Sequence, residues 1–196
     1  MKNILKLFSA VTLMVSLPAL AGSFTLTSND IAQYEKIGKK HESNHGFSHC
    51  TGENMSPHLE WSNAPEGTKS FAVTMYDLDA STGSGFWHWM LVNIPANVTE
   101  LATNAGSSEE DLAPAGSVHQ KHDLGGASYL GVCPSKGSTH RYRVTVHALS
   151  VESLEPFYTA NLGAGVFPKA PSHAVAGRVI NMHTIESSSI VAVSVQ

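Results

Sequence analysis

The sequence carries only two cysteines, Cys50 and Cys133, and none of the short signatures of common catalytic chemistries. No Gly-x-Ser-x-Gly elbow is present to expose a hydrolase nucleophile, and no Walker loop to cradle a nucleotide. The His-Glu-x-x-His spacing is missing, as is a close Cys–His cluster, so no metal centre and no cofactor is expected. Beyond the N-terminus no segment is apolar enough to cross a bilayer, which excludes stable membrane insertion by a helix. There is no internal repeat, low-complexity tract or second domain. Basic residues are outnumbered, 12 Lys and Arg against 16 Asp and Glu. That balance argues against nucleic acid and anionic membrane faces as partners.

What is present begins with an export signal. Lys2 and Lys6 precede a mostly apolar stretch, Leu7 to Leu17, too short to span a membrane. Ala19-Leu20-Ala21 fits a small-x-small cleavage site, so residues 1–21 read as a signal peptide cut after Ala21. The alternative is an N-terminal anchor; no lipobox-like cysteine follows the apolar stretch. The mature protein is then periplasmic or secreted, and residues 22–196 form one domain of ordinary core size. Losing two lysines makes it more acidic than the full chain at −4.

Apolar patterning predicts a mostly β fold. Ser23–Thr27 and His58–Trp61 read as short strands. Lys69–Asp77 reads as a core strand, with Phe71, Val73 and Met75 on one side and Ala72, Thr74 and Tyr76 on the other. Trp87–Ile94, Tyr142–Ser150 and Ser188–Val195 are further strands. Asp30–Lys39 fits either a strand or a short helix. Lys40–Glu53 is a polar loop, and Ala64-Pro65-Glu66-Gly67 a turn. Ser153–Tyr158 suits a helical turn. Pro168–His183 suits a helix, with Pro171 in its first turn and Val175, Val179 and Met182 on one face. Asn97–Ala127, rich in Gly, Ala, Ser and Asn, is long enough to be functional or mobile.

Polar residues gather at the strand ends: Tyr76-Asp77-Leu78-Asp79, Trp87-His88-Trp89 and His140-Arg141-Tyr142. Acids, histidines and a tyrosine beside apolar runs suggest a small pocket with several donors and two acceptors. A phosphate monoanion needs that combination, donors for its oxygens and an acceptor for its O–H. Asp77 or Asp79 could also hold His88 in its cationic form. The bland reading is that both aspartates pin loop backbone and one histidine is a satisfied core group; Asp77 is the more structural of the two acids. His41, His45 and His49 are four apart, and His119 and His122 three apart, but Asn44, Gly46 and Phe47 argue against a helix. These histidines read as solvated loop residues able to take zinc or copper only adventitiously.

Gly52-Glu53-Asn54-Met55-Ser56-Pro57, Leu59-Glu60-Trp61, Asp77-Leu78-Asp79-Ala80, Trp87-His88-Trp89, Tyr129-Leu130-Gly131-Val132-Cys133-Pro134 and His140-Arg141-Tyr142 occur in this order. In order and spacing they resemble the phosphatidylethanolamine-binding protein family, over roughly residues 24–195. The nearest branch is the bacterial Raf-kinase-inhibitor-like proteins. The resemblance implies two stacked antiparallel sheets, with the pocket at one edge of the larger. It implies a site of Asp77, Asp79, Ala80, His88, Gly131, Cys133, His140 and Tyr142 that binds small anions or phosphorylated head groups. Gly131 would let backbone approach the ligand closely. The chain lacks the C-terminal helix of eukaryotic members, and a homodimer is implied by bacterial relatives.

An even cysteine count in an exported protein favours a disulfide. The resemblance brings the two cysteine loops to one end of the sheet, which makes Cys50–Cys133 the expected bridge; the alternative is two thiols held apart. Three positions depart from the family pattern: Leu78, Ser81 and Ser135 stand where proline is usual. Ser81 and Ser135 either meet an anion or face solvent. Two other functions compete. One is an inhibitor acting on a kinase, protease or host signalling partner, with a vestigial pocket. The other is a phosphoester hydrolase.

Overall fold

The computed structural model describes residues 22–45, 49–160 and 171–196. The signal peptide reading, 1–21, lies outside them. Among these residues there are eight strands and two α-helices: β1 (Thr25–Thr27), β2 (Leu59–Ser62), β3 (Ser70–Asp77), β4 (Phe86–Pro95), β5 (Glu100–Leu101), β6 (Val118–His119), β7 (Thr139–Leu149), α1 (Glu155–Ala160), α2 (His173–His183) and β8 (Thr184–Val195). They form two antiparallel sheets, one ordered β1-β2-β5 and the other β6-β4-β3-β7-β8.

The main core lies between the sheets. Phe71, Val73 and Met75 from β3 and Tyr142, Val144, Val146 and Ala148 from β7 meet Leu26, Leu59 and Trp61 there. That is the strand alternation expected of a sheet with one face inward. The opposite face of the larger sheet has its own smaller cluster. Ala72, Met90, Val92 and Leu149 pack against Leu154 and Tyr158 and against α2 residues Ala176, Val179 and Ile180.

Several local expectations are corrected. Asp30–Lys39 is neither strand nor helix; it runs beside β8, with a parallel bridge from Lys36 to Val193, and ends in a 3-10 turn at Lys39–His41. α2 starts at His173, capped by the Ser172 hydroxyl, so Pro171 precedes the helix rather than occupying its first turn. Its buried face is Ala176, Val179 and Ile180, and Met182 is exposed. Asn97–Ala127 contains β5 and β6 and buries Leu101, Ala105 and His122, so much of it is packed. His41 and His122 are not solvated loop residues: both are buried, and His41 Nδ1 donates to the Met55 carbonyl at 2.7 Å.

Cys50 and Cys133 are bridged, with Cα atoms 5.9 Å apart and a sequence separation of 83. A link across so long a loop restricts the unfolded chain, worth about 4 kcal/mol in the loop-entropy picture. Reduction, or Cys50→Ala with Cys133→Ala, is therefore expected to lower stability by about 2–4 kcal/mol and the melting temperature by roughly 10 °C. Urea melts with and without dithiothreitol measure this; an unchanged midpoint would refute it.

Candidate functional site

β3, β4 and β7 are neighbours, and their pairing aligns Asp77 with Phe86 on one side and Tyr142 on the other. Three separate sequence segments thus reach one edge of the larger sheet. β4 adds an irregularity there. Met75 faces Trp89 and Tyr76 faces Trp87, so His88 is the unpaired residue of a bulge. The bulge breaks the alternation: Trp87 packs on the helix side, while the His88 ring stands 5.2 Å from Tyr142, edge to face.

The resulting cavity of about 340 Å³ is lined by seven of the eight residues expected: Asp77, Ala80, His88, Gly131, Cys133, His140 and Tyr142. Phe86, Leu130 and Pro134 supply its apolar walls, and His49, Ser81, Thr82 and Ser135 its rim. His49 could not be placed from sequence, although it adjoins Cys50; its Nε2 lies 4.0 Å from Cys133 Sγ. Ser81 and Ser135 are exposed as well as lining, so both readings of them meet at the rim.

Asp79 stands apart. Its carboxylate accepts from Arg141 Nε at 2.9 Å, Nη2 at 2.7 Å and the Arg141 backbone N–H at 2.8 Å, on the outer side of the strand end. The Arg141 guanidinium holds its carboxyl at about 2, well below the usual range. Asp77 is the acid inside the cavity. Its Oδ2 is 2.7 Å from His140 Nδ1, its Oδ1 accepts the Asp79 N–H at 2.9 Å, and the Tyr142 hydroxyl also bonds to it. Burial, and then the Asp77 charge, raise the Tyr142 phenol so that it stays protonated.

His88 is held differently from the expectation that an aspartate would make it cationic. Its Nδ1 donates to the Leu130 carbonyl at 2.8 Å, which fixes that nitrogen as the N–H. Burial then pushes its pKa below the ordinary histidine value, outweighing the Leu130 bond and the Asp77 charge. His88 is thus a neutral imidazole with its second nitrogen, Nε2, as an acceptor. Gly131 also serves another purpose than ligand approach. A Cβ there would lie 2.4 Å from the Ser43 backbone nitrogen, and its own N–H donates to Asn54 Oδ1 at 2.7 Å. Glycine is needed because two loops cross there. Asn54, in a left-handed conformation at φ 56°, is the turn that ties them.

The cavity therefore offers an imidazole oriented by a carboxylate, a protonated phenol, a neutral imidazole acceptor and hydroxyls at the rim. Among the described residues no lysine or arginine lines it. Cys133, being bridged, is no thiol nucleophile.

Comparison with known proteins agrees with the fold. The phosphatidylethanolamine-binding protein family model matches residues 18–194. The chain is 47% identical to the UPF0098 protein YbcL of Escherichia coli over 147 residues, 74% of this chain and 79% of that one. It is 41% identical to YbhB of the same organism over 167 residues, 85% of this chain and 97% of that one. The crystal structure of E. coli YbcL, described as a new member of the mammalian PEBP family, superposes with a TM-score of 0.77 at 40% identity, over 89% of this chain and 99% of that one. A phosphatidylethanolamine-binding protein homologue from Chlamydia trachomatis shares the fold at 21% identity, with a TM-score of 0.65 over 87% of this chain and 96% of that one. A family match over nearly the whole chain, and the fold and sequence shared with its bacterial relatives, lead to one assignment: this chain belongs to the phosphatidylethanolamine-binding protein family.

Proposed function

We propose that the protein is an exported binding protein that holds a small anion, phosphate or a phosphorylated head group, in the cavity beside His88, His140 and Tyr142. The observation that carries this reading is the division of labour in the cavity. His140, oriented through Nδ1 by Asp77, presents its other nitrogen, and Tyr142 is kept protonated. His88 Nε2 is an acceptor able to take the O–H of a protonated phosphate. The apolar walls lower the local dielectric beside these groups, which strengthens each of the bonds. The disulfide in the cavity wall suits an oxidising compartment, in keeping with the export signal.

Titration calorimetry of the mature protein with phosphate and O-phosphorylethanolamine tests the reading. Saturable binding is expected, and a His88→Ala/His140→Ala variant, less stable but shown by circular dichroism to be folded at the titration temperature, should lose it at least tenfold. A well-folded wild type that binds neither ligand would sink the proposal.

Proton linkage gives a second test. An anion beside His88 favours its charged form, so binding takes up a proton. Because burial keeps the free-state pKa below 6.5, the affinity for sulfate, whose charge is fixed in this range, should fall as pH rises from 5 to 8. Flat affinity over that range would mean that only neutral donors act.

A further inference from the structure

The helix side of the larger sheet has a polar half. Strand register sets Tyr76 beside Arg143 and Thr74 beside Thr145, then Thr145 beside Ser189 and His147 beside Ser187. Thr74, Thr145 and Ser189 thus form a hydroxyl row across three strands, with Thr145 Oγ1 2.8 Å from Ser189 Oγ. Arg143 flanks the row on one side and His147 on the other. α2 is divided to match. Ala176, Val179 and Ile180 are buried in the apolar half, while His173, Gly177, Arg178 and Asn181 close over the polar half. Between them lies a cavity of about 530 Å³, sharing no lining residue with the His88 cavity.

A helix packed on a sheet ordinarily meets apolar side chains, because that burial drives the packing. Here the floor and the roof are both polar. The described lining residues include two arginines and two histidines but no acid, in a chain whose acids outnumber its bases. Among the described residues neither Arg143 nor Arg178 has a carboxylate within ion-pair distance, whereas Arg141 next door is paired with Asp79. His173 is turned to Asp123 at 2.7 Å, and His147 lies between the Thr74 and Thr184 hydroxyls. Trp87 forms a wall near Gly177, where a Cβ would come within 3.6 Å of the indole.

We propose that this cavity is a second binding site, taking a hydroxylated oxyanion: a sugar or polyol that carries a phosphate or carboxylate. Guanidinium forks are suited to either anionic group, so Arg143 and Arg178 receive it. The Thr74–Thr145–Ser189 row and Asn181 exchange hydrogen bonds with the hydroxyls. Trp87 offers an apolar face to the ring.

The test titrates the full mature protein with glucose 6-phosphate, glucuronate, glucose and inorganic phosphate, read by calorimetry and tryptophan fluorescence. Trp61 and Trp89 are buried, so a change on binding reports Trp87. Glucose 6-phosphate or glucuronate should bind saturably, at least tenfold more tightly than glucose; the tighter of the two identifies the anionic group. Arg178→Gln, on the exposed side of a helix, should weaken binding at least tenfold, and Thr145→Val severalfold. His88→Ala/His140→Ala should leave it unchanged. Absence of saturable binding would overturn the proposal. So would insensitivity to Arg178→Gln, or, in the folded His88→Ala/His140→Ala variant whose first cavity no longer takes phosphate, equal affinity for bare phosphate or loss of glucose 6-phosphate and glucuronate binding.

Discussion

Lowering the pH from 7.5 to 5 is expected to destabilise the fold steeply. His41, His88, His119, His122 and His147 all have pKa values pushed below the ordinary histidine value, in each case chiefly by burial. His122 and His147 lie at about 4, the second also opposed by the Arg143 charge. For His41 burial outweighs the Met55 carbonyl and the Asp30 carboxylate, 3.9 Å from its Nε2, and for His119 it outweighs a bond to the Ala105 backbone. In the unfolded chain the same histidines protonate near 6.5. Between 6.5 and the folded values the unfolded state binds more protons, so stability falls as pH falls. The contribution is fully present above 6.5 and is lost progressively towards pH 4. Each histidine adds up to about 1.4 kcal/mol per pH unit inside its window. Five acting together remove a large part of the roughly 5–15 kcal/mol a domain has.

Below pH 4 the two low aspartates take over. Asp30 sits at about 2. Its burial works upward, but bonds from Lys40, Thr103 and the His58 backbone outweigh it. Asp79 sits at about 2 through Arg141. Urea unfolding at pH 7.5, 6.5, 5.5 and 5 measures the slope. His147→Gln should make it shallower by about one proton, or 1.4 kcal/mol per unit. A midpoint that does not move between pH 7.5 and 5 would contradict the argument.

What could be read from sequence was whatever depends on neighbours along the chain. The alternation in Phe71–Tyr76 and Tyr142–Ala148 gives strands with a defined inner face, and the structure keeps both. The order of family segments placed seven of eight residues around one cavity. What could not be read depends on which segments cross. The bulge that turns His88 inward is a register shift between two strands and has no local signature. Gly131 is required by the Glu42–Ser43 backbone, which lies far away in sequence. His41 and His122 look like loop histidines because their covering residues come from other segments. The face of α2 was misjudged because a spacing of three or four fits more than one stripe of the helix, and the buried one runs through Ala176, Val179 and Ile180. Val175 and Val179 fit both phases, but Met182 points out. Asp77-Leu78-Asp79 presents two acids with one residue between them, the first lining the cavity and the second paired with Arg141 outside it, and only the fold distinguishes them.

That distinction carries the second large effect. Asp77→Ala is expected to cost about 3–5 kcal/mol, and Asp79→Ala no more than about 1 kcal/mol. The difference comes from burial, since both carboxylates accept three or so hydrogen bonds. Asp77 side chain is 5% exposed and His140 16%, so removing the acid strands an imidazole, a phenol and a backbone N–H away from water. Asp79 is 28% exposed and Arg141 56%; solvent replaces what the mutation removes, and salt already screens the pair. The functional consequence runs in parallel. Without Asp77 the His140 Nδ1 loses its acceptor, and the ring loses both orientation and tautomer. Asp77→Ala should therefore abolish phosphate binding even in molecules that remain folded, whereas Asp79→Ala should keep affinity within about threefold. Urea melts and phosphate titrations on the two variants decide the matter. If Asp79→Ala proves the more damaging to binding, the rim and not the cavity recognises the anion, and Arg141, freed from its partner, becomes the residue to examine.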